Sequence, residues 1–284
     1  MAVTKKHKQR FVRFFGHFMT TVRSNGRIRI RELQKMLGLQ IWISTVFRVL
    51  RQFLTSTCEV LRISKTSSFF FPLKHEDLVR RLVFDLKWWR RILTEMPRAS
   101  FAYVLGRLPM NVNWLSSDAS GTFGMAGVLH FGRVPSQHKG FAGLFWQIQW
   151  RSWATIAPKT VDNGEGSVHI NVAEFLAALI TCETFAGFCK GRMTAFNLDN
   201  ITAKAWLDSA RCTRYPFDRC AQGSHLHMLK QEMKLRTTWV PSENNVLADK
   251  CSREHYSHTR IGHNIAGARL KRVRPRWQNV LRFL

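Results

Sequence analysis

Hydrophobic and polar residues recur with a helical period in the first part of the chain. In RELQKMLGL, Leu33, Met36 and Leu37 recur at helical spacing, Gly38 marks a stop, and a second periodic apolar run follows. The segment KHEDLVRRLVFDLKWWRRILTEM predicts another amphipathic helix, with Trp89 and the leucines facing inward. SKTSSFFFP between them predicts an irregular connection. The first part is therefore expected to be helical.

From residue 111 onward the pattern changes to short aromatic and branched runs separated by Gly, Ser and Pro, which is typical of strands. The predicted strands are VNWLSSDAS, MAGVLHFG, LFWQIQWRS, MTAFNLDN and RTTWVPS. The predicted helices are NVAEFLAALITCETFAGFCKG, which Gly191 closes, ITAKAWLDSA, DRCAQGSHLHMLKQEMKL and NVLADKCSREH. This order predicts an α/β fold in which a mixed five-stranded sheet has flanking helices.

Charge and composition suggest where the chain divides. Residues 1–110 carry 22 Lys/Arg and 6 Asp/Glu, and residues 111–284 carry 22 and 12, so the net charges of +16 and +10 sum to +26. A Pro/Gly-bearing stretch near Pro109 marks the change. We expect a basic N-terminal segment (1–24), a helical region (25–108), an α/β domain (109–256) and a loose basic tail (257–284).

The composition limits which binding partners and which cellular compartment are expected for this chain. A net charge of +26 implies a polyanionic partner, nucleic acid before an anionic membrane surface. Apolar runs such as LGLQIWISTVF are too short to span a membrane, and Arg13 breaks a secretory signal. A transit peptide would need a Ser-rich cleavable pattern that does not follow. Six cysteines without paired spacing indicate reduced thiols in an intracellular protein, cytoplasmic or nuclear.

Four acidic residues lie in settings that suit a metal-ion nuclease: Asp118 in WLSSDASGTFG, Glu174 in INVAEFLAAL, Asp199 in AFNLDNITAKAW and Asp249 in SENNVLADKCSR. Asp118 is expected at the centre of the first strand and Asp199 at the end of the fourth, next to it. Glu174 lies one turn into the long helix, and Asp249 begins the final one. Clustered carboxylates repel one another unless divalent cations neutralise them, so two Mg²⁺ (or Mn²⁺) ions are expected.

Each acid also has an ordinary structural interpretation. Asp118 suits the cap of a turn, and Glu174 and Asp249 suit the first turn of a helix through the helix dipole. Glu183 and Asp208 are expected to be plain surface acids. Cys212, Cys220, His225 and His227 could be imagined as a zinc site, but their spacing fits no common pattern.

The sequence around the four acids resembles type 1 ribonuclease H domains, specifically those attached to reverse transcriptases of retroelements. SDAS at Asp118 matches a TDAS-like opening, and NVAEFLAAL at Glu174 matches an N-x-x-E-x-x-A helix. LDN at Asp199 matches a TDN-like strand end. NVLAD at Asp249, followed by Ser252 and Arg253, matches an N-x-x-AD-x-x-SR helix start. The resemblance implies a ribonuclease H-like fold and hydrolysis of the RNA strand of RNA–DNA hybrids.

The helical part and the ADKCSR ending look most like DIRS-type retrotransposon polyproteins, in which a ribonuclease H follows the polymerase thumb and connection. RELQKMLG resembles the LRELQ-x-LLG stretch there, and DLKWWRRIL resembles its WW helix. A separate polymerase or recombinase segment of the same element is the implied partner. Two departures exist: WVPSENN lacks the His that many cellular members carry before the fourth acid, and the absence of an Asp-Asp pair means no polymerase active site.

Binding of a hybrid would rest mainly on phosphate contacts, with selectivity from contacts to the RNA 2′-hydroxyls. The candidates beside the acids are Ser120, Asn171, Asn200 and Thr202, and those on the WW helix are Arg80, Arg81, Arg90 and Arg91. Two alternatives stay open. One is a binding module without catalysis, since IRELQKMLGLQIWISTVFRVL also scans as a helix-turn-helix with Gly38 in the turn, although the apolar turn argues against that. The other is a degenerate retroelement relic.

Overall fold

The computed structural model describes residues 5–24, 27–46, 48–64, 70–72, 76–95, 112–130, 142–157, 168–209, 212, 217–257 and 262–281. The chain divides into two compact units, unit 1 (Met1–Ala102) and unit 2 (Tyr103–Leu284). Pro109, where the composition changes, lies outside the described residues. The finer boundaries at residues 24, 108 and 256 stay predictions.

Unit 1 consists of helices and one short antiparallel pair of strands. The helices are α1 (Lys5–Arg23), α2 (Ile30–Val46), α3 (Thr55–Ser64) and α4 (Glu76–Glu95), with a 3-10 segment over Arg48–Leu54. Strands β1 (Arg27–Arg29) and β2 (Phe70–Pro72) pair antiparallel, so part of the predicted irregular connection is a strand. The rings of Phe11 on α1 and Trp89 on α4 lie 5.6 Å apart and are fully buried.

The predicted stop at Gly38 is wrong. Helix α2 continues through this residue, with Leu33, Met36 and Ile43 buried along one side. Gly38 is exposed, and a Cβ added there would meet nothing within 4 Å. Glycine costs about 1 kcal/mol in a helix interior relative to alanine, which the buried apolar side of the helix outweighs. Because α2 has no turn at Gly38, the helix-turn-helix interpretation lacks the turn that it requires.

Unit 2 is built on a mixed sheet of seven strands in the order β7-β6-β3-β4-β5-β9-β8. These strands are β3 (Asn113–Ala119), β4 (Gly124–His130), β5 (Ala142–Gln149), β6 (Met193–Leu198), β7 (Lys234–Trp239), β8 (His263–Ile265) and β9 (Ala268–Arg272). The helices are α5 (Trp150–Ile156), α6 (Ile170–Cys189), α7 (Ile201–Ser209), α8 (Phe217–Lys230), α9 (Val246–Arg253) and α10 (Gln278–Leu281). The mixed α/β class is confirmed.

The predicted number of five strands is wrong, because the segment expected to be a loose basic tail adds two. Strand β9 pairs parallel to β5, and β8 pairs antiparallel to β9. Ala268 and Leu270 are buried while Arg269 and Lys271 are exposed, so the basic residues lie on the outer face of a half-buried strand. The short helix α10 then buries Val280.

The sheet is covered on both faces, because residues along its central strands alternate between two cores. Met125, Leu129 and Trp146 belong to the core that α6 completes. Ala126, Val128 and Phe145 belong to a smaller core with Leu247, Ala248 and Cys251 of α9. Gly127 allows a close approach on the α6 side, since a Cβ there would lie 1.9 Å from Oγ1 of Thr181.

Helix α6 is the central helix of unit 2. It is long and apolar enough to cross a membrane by length and composition alone, and 89% of its most apolar window is buried inside the fold. Its buried residues continue from Val172 to Ala186 without an exposed position. Helix α6 ends at Cys189, and Gly191 follows in the left-handed region with φ 68°. The predicted closure by Gly191 therefore agrees with the backbone.

Candidate active site

Two parallel strands and one helix bring three of the predicted acids to the same edge of the sheet. Strand β6 pairs parallel to β3, with Ser116 beside Asn197, so the carboxyl ends of both strands lie side by side. Asp118 is the penultimate residue of β3, not its centre as expected, and Asp199 directly follows β6. Glu174 lies in the second turn of α6, which packs across β3 and β4. The carboxyl ends of parallel strands are where open α/β sheets bind ligands.

The carboxylates of Asp118, Glu174 and Asp199 form a compact cluster. One oxygen from each lies within 4.8 Å of the others. Asp118 is 3% exposed and Glu174 6% exposed, whereas Asp199 is half-buried. Among the described residues, this is the group of His, Cys, Asp and Glu side chains close enough to share a metal ion. The four Cys and His residues whose spacing argued against a zinc site do not form such a group.

The electrostatics of the cluster oppose a full set of negative charges. Burial, followed by repulsion from Asp118 and Asp199, raises the pKa of Glu174 from 4.5 to about 9. Burial raises the pKa of Asp118 from 3.8 to about 6, against the hydrogen bond from Ser252, which lowers it. Without a cation, protons therefore reside on this cluster at neutral pH. A divalent ion would replace them.

Two oxygens of the cluster have no hydrogen-bond partner within the described structure. They are Oε2 of Glu174 and Oδ1 of Asp199, and both are buried. Buried polar atoms without a partner are uncommon and call for an explanation such as an ion. The donor set consists of oxygen atoms alone, which suits Mg²⁺ or Mn²⁺. The residues present therefore fit a hard divalent cation.

Asp249, the fourth predicted acid, lies nearby but outside the three-carboxylate cluster. Its charge is close enough to raise the pKa of Asp118. Its Oδ1 accepts a 2.6 Å hydrogen bond and ion pair from Nε of Arg253, one turn later on α9. The structure thus brings three of the four predicted acids together and leaves Asp249 paired with a cation at the rim.

Three hydrogen bonds from neighbouring side chains position the cluster, and the residues that donate them are not among the site residues that the sequence predicted. The buried Ser252 hydroxyl donates to Oδ2 of Asp118, which ties α9 to β3. The Trp239 indole N–H donates to the backbone carbonyl of Asp199 at 2.9 Å. Asn245 donates to the backbone carbonyl of Ser117 at 2.9 Å. The Ser of the ADKCSR motif was the available signal for the first contact; the other two carry no local signal.

The four polar residues predicted to contact nucleic acid have different settings. Asn200 donates to Asn171 at 3.0 Å, which joins the starts of α6 and α7. Ser120 is buried, and its hydroxyl accepts from the backbone N–H groups of Thr122 and Phe123. Thr202 is half-buried on α7. Ser120 therefore serves the turn after β3, while the two asparagines and Thr202 lie next to Asp199 or Glu174.

The four arginines predicted as a basic stripe on α4 each contact another side chain of unit 1. Arg80 lies 3.2 Å from Asp77 and Arg81 lies 3.4 Å from Glu59. Arg90 packs over the ring of Phe15, and Arg91 over the ring of Trp88. Two of these charges are partly balanced by acids. Their nucleic-acid role stays a prediction.

Three further residues were expected to be exposed to solvent, and the structure confirms this for only one of the three. The sequence favours solvated helix positions for His225 and His227, and for His225 this prediction is wrong. His225 is buried, and its ring nitrogens lie 2.7 Å and 3.3 Å from the carbonyls of Ala221 and Leu207, so it is a core histidine. Glu183, expected on the surface, is 2% exposed. Asp208 is an exposed acid paired with Lys204 at 2.6 Å. The expectation for Glu183 was wrong because its partners lie on α10, far away in sequence.

Comparison with known proteins adds one finding. No protein-family model matches the chain, and none of the curated proteins matches it. Among solved structures, the chain is similar to RNase H1 from the halophilic archaeon Halobacterium salinarum NRC-1, with 18% sequence identity, coverage of 50% of this chain and 92% of that one, and a TM-score of 0.33. A TM-score of this size carries no argument about activity, which must come from the carboxylates themselves.

Proposed function

We propose that unit 2 is a ribonuclease H-like, metal-dependent endonuclease that hydrolyses the RNA strand of RNA–DNA hybrids. The observation that carries this proposal is the cluster of Asp118, Glu174 and Asp199, with oxygens within 4.8 Å and two of them without partners. A buried cluster of three acids destabilises a fold unless a cation compensates it. The sequence motifs around these residues point to the same activity.

The chain's own residues would divide the work as follows. Asp118, Glu174 and Asp199 would hold the metal, and Asp249 would join them from the rim if a second ion binds. A pair of Mg²⁺ or Mn²⁺ ions held there would supply activation of the attacking water and stabilisation of the leaving 3′ oxygen. Ser252 keeps one oxygen of Asp118 oriented, and the Trp239 indole fixes the backbone at Asp199. Arg253 keeps Asp249 in place.

Hybrid recognition is assigned to polar residues next to the acids. Asn171 and Asn200 are joined to each other and lie beside Glu174 and Asp199, where an RNA strand would pass. Amide groups can both donate to and accept from a 2′-hydroxyl, which distinguishes RNA from DNA. The net charge of +26 provides the phosphate attraction.

We further propose that the chain derives from a DIRS-type retroelement and works inside the cell, in the cytoplasm or nucleus, with a polymerase or recombinase segment of the same element. The support is the order of the motifs and the helical unit before the carboxylates. The chain has no Asp-Asp pair. Polymerisation would therefore require another chain.

The test is cleavage of a labelled RNA–DNA hybrid by the purified chain with Mg²⁺ or Mn²⁺. The parent should cut only the RNA strand, and Asp199→Asn should not cut. Asp208→Asn is the matched control, since Asp208 is an exposed acid paired with Lys204. Equal cleavage by the parent and Asp199→Asn would reveal a contaminating nuclease and contradict the proposal.

A second candidate function is nucleic-acid binding without catalysis. The observation that favours it is the ion pair between Asp249 and Arg253, which leaves only three acids in the cluster. Tight hybrid binding by the parent with no cleavage in either metal would establish this alternative.

A further inference from the structure

Helix α1 has a basic face that nothing in the described part of unit 1 neutralises. Lys5, Lys6, Arg10 and Arg13 are exposed, and α1 contains no acid. Lys6, Arg10 and Arg13 follow an i, i+4, i+7 spacing, so they form one stripe along the helix. We call these four residues the α1 basic face.

The acids of unit 1 whose side chains are described contact residues other than the four of the α1 basic face. Asp77 and Glu59 contact Arg80 and Arg81, and Glu32 lies 3.6 Å from His17. Asp85 is buried and accepts a 2.6 Å hydrogen bond from Ser56. The positive charge of the α1 basic face is therefore available to a partner outside the unit.

The opposite side of α1 is already used for packing. Phe11 and Phe18 are fully buried, and Phe15 is 6% exposed beneath the guanidinium of Arg90. A basic amphipathic helix binds a bilayer by inserting its apolar side, which is not available here. The remaining attraction is electrostatic, toward a polyanion.

We propose that the α1 basic face binds the phosphate backbone of duplex nucleic acid, as a second contact surface in addition to the carboxylate site. The face spans about 12 Å at the helical rise of 1.5 Å per residue. One strand of a duplex presents a phosphate about every 3.4 Å along its axis, so three to four phosphates match this length. Binding is independent of sequence and of hydrolysis.

The test measures binding of the full-length chain to a short labelled DNA duplex across a salt series, with chelator present. DNA is not cut by a ribonuclease H, so the result does not depend on the proposed function. The triple variant Lys6→Gln, Arg10→Gln, Arg13→Gln should reduce the slope of log affinity against log salt by about 2 to 3. The matched control Arg51→Gln, Arg62→Gln, Lys87→Gln removes the same charge from other exposed positions and should retain the parent's slope.

A second measurement does not depend on any variant folding. Bound duplex should protect Lys5 and Lys6 of the parent from amine acetylation, as read by mass spectrometry. Equal slopes for the two triple variants, or unprotected lysines in the complex, would overturn the proposal. The proposal would also be overturned if the triple variant at Lys6, Arg10 and Arg13 lost binding to phosphatidylserine vesicles but kept the parent's affinity for DNA.

Discussion

Helix α6 carries two buried glutamates with opposite surroundings. Both oxygens of Glu183 accept hydrogen bonds, Oε1 from the backbone and side chain of Asn279 and Oε2 from the backbone of Val280, at 2.9–3.1 Å. Glu174 keeps one buried oxygen without a partner and faces two further carboxylates. Burial is similar, 2% against 6% exposed. The two glutamates therefore differ in hydrogen bonding and not in burial. Glu183 is fully hydrogen-bonded within the fold, whereas Glu174 has an oxygen that is available to a ligand.

Activity should distinguish the two glutamates most strongly. Glu174→Gln removes the carboxylate of a proposed metal ligand, so hybrid cleavage should fall by more than about 100-fold. Substitutions of residues that only support a metal ligand typically cost about 10- to 100-fold. Glu183→Gln should cleave at the parent's rate below its unfolding temperature. Initial rates on a labelled hybrid measure both. If Glu183→Gln loses activity while folded, the division between the two glutamates is wrong.

The effects of the two glutamates on stability should be the reverse of their effects on activity. Glu183→Ala leaves the start of α10 without its acceptors, and the free energy of unfolding should fall by about 3 kcal/mol or more. Glu174→Gln, measured in chelator at about pH 8, should be as stable as the parent or more so, because glutamine does not need the proton that Glu174, with its pKa raised to about 9, must take up on folding. Urea unfolding followed by circular dichroism gives both values. A loss for Glu174→Gln as large as that for Glu183→Ala would contradict the comparison.

The pH dependence of stability should sharpen the same contrast. In the metal-free protein, the folded-state pKa values of Asp118 and Glu174 are raised, from 3.8 to about 6 and from 4.5 to about 9. The folded state therefore binds protons more tightly than the unfolded state, and stability present at acidic pH is lost as pH rises through these values. The melting temperature in chelator should fall between about pH 4 and pH 9, and less so for Glu174→Gln.

Divalent ions provide the control for the pH prediction. If the folded carboxylate cluster binds Mg²⁺ or Mn²⁺, as proposed, either ion should raise the melting temperature most at the alkaline end. A parent whose melting temperature is unchanged by both ions at every pH would contradict the metal assignment.

The smallest effect is expected at Ser252. Ser252→Ala removes the hydroxyl that donates to Asp118, which should raise the pKa of Asp118 further and weaken metal binding about 10-fold. The loss of unfolding free energy should be only about 1 kcal/mol. Calorimetric titration with Mn²⁺ measures the affinity. Ser242→Ala, in the exposed turn before α9, is the control and should bind Mn²⁺ like the parent.

The sequence predicted the part of the fold whose signals are local. Apolar runs marked β3 to β7, and the motifs around Asp118, Glu174 and Asp199 predicted a cluster that the structure shows. Strands β8 and β9 were missed because Arg269 and Lys271 conceal an alternation in which Ala268 and Leu270 are buried. Glu183 was misjudged because its partners, Asn279 and Val280, are nearly a hundred residues away. Long-range partners leave no periodicity to detect.

The position of β9 has a consequence for synthesis on the ribosome. This strand lies between β5 and β8, and α10 then meets Glu183 of the central helix. Until residues 268–281 emerge, β5 is an open edge with unpaired backbone groups, which invites pairing with other chains. Unit 2 can thus complete its sheet only after residues 268–272 have emerged, and a chain cut short before residue 268 should aggregate instead of folding.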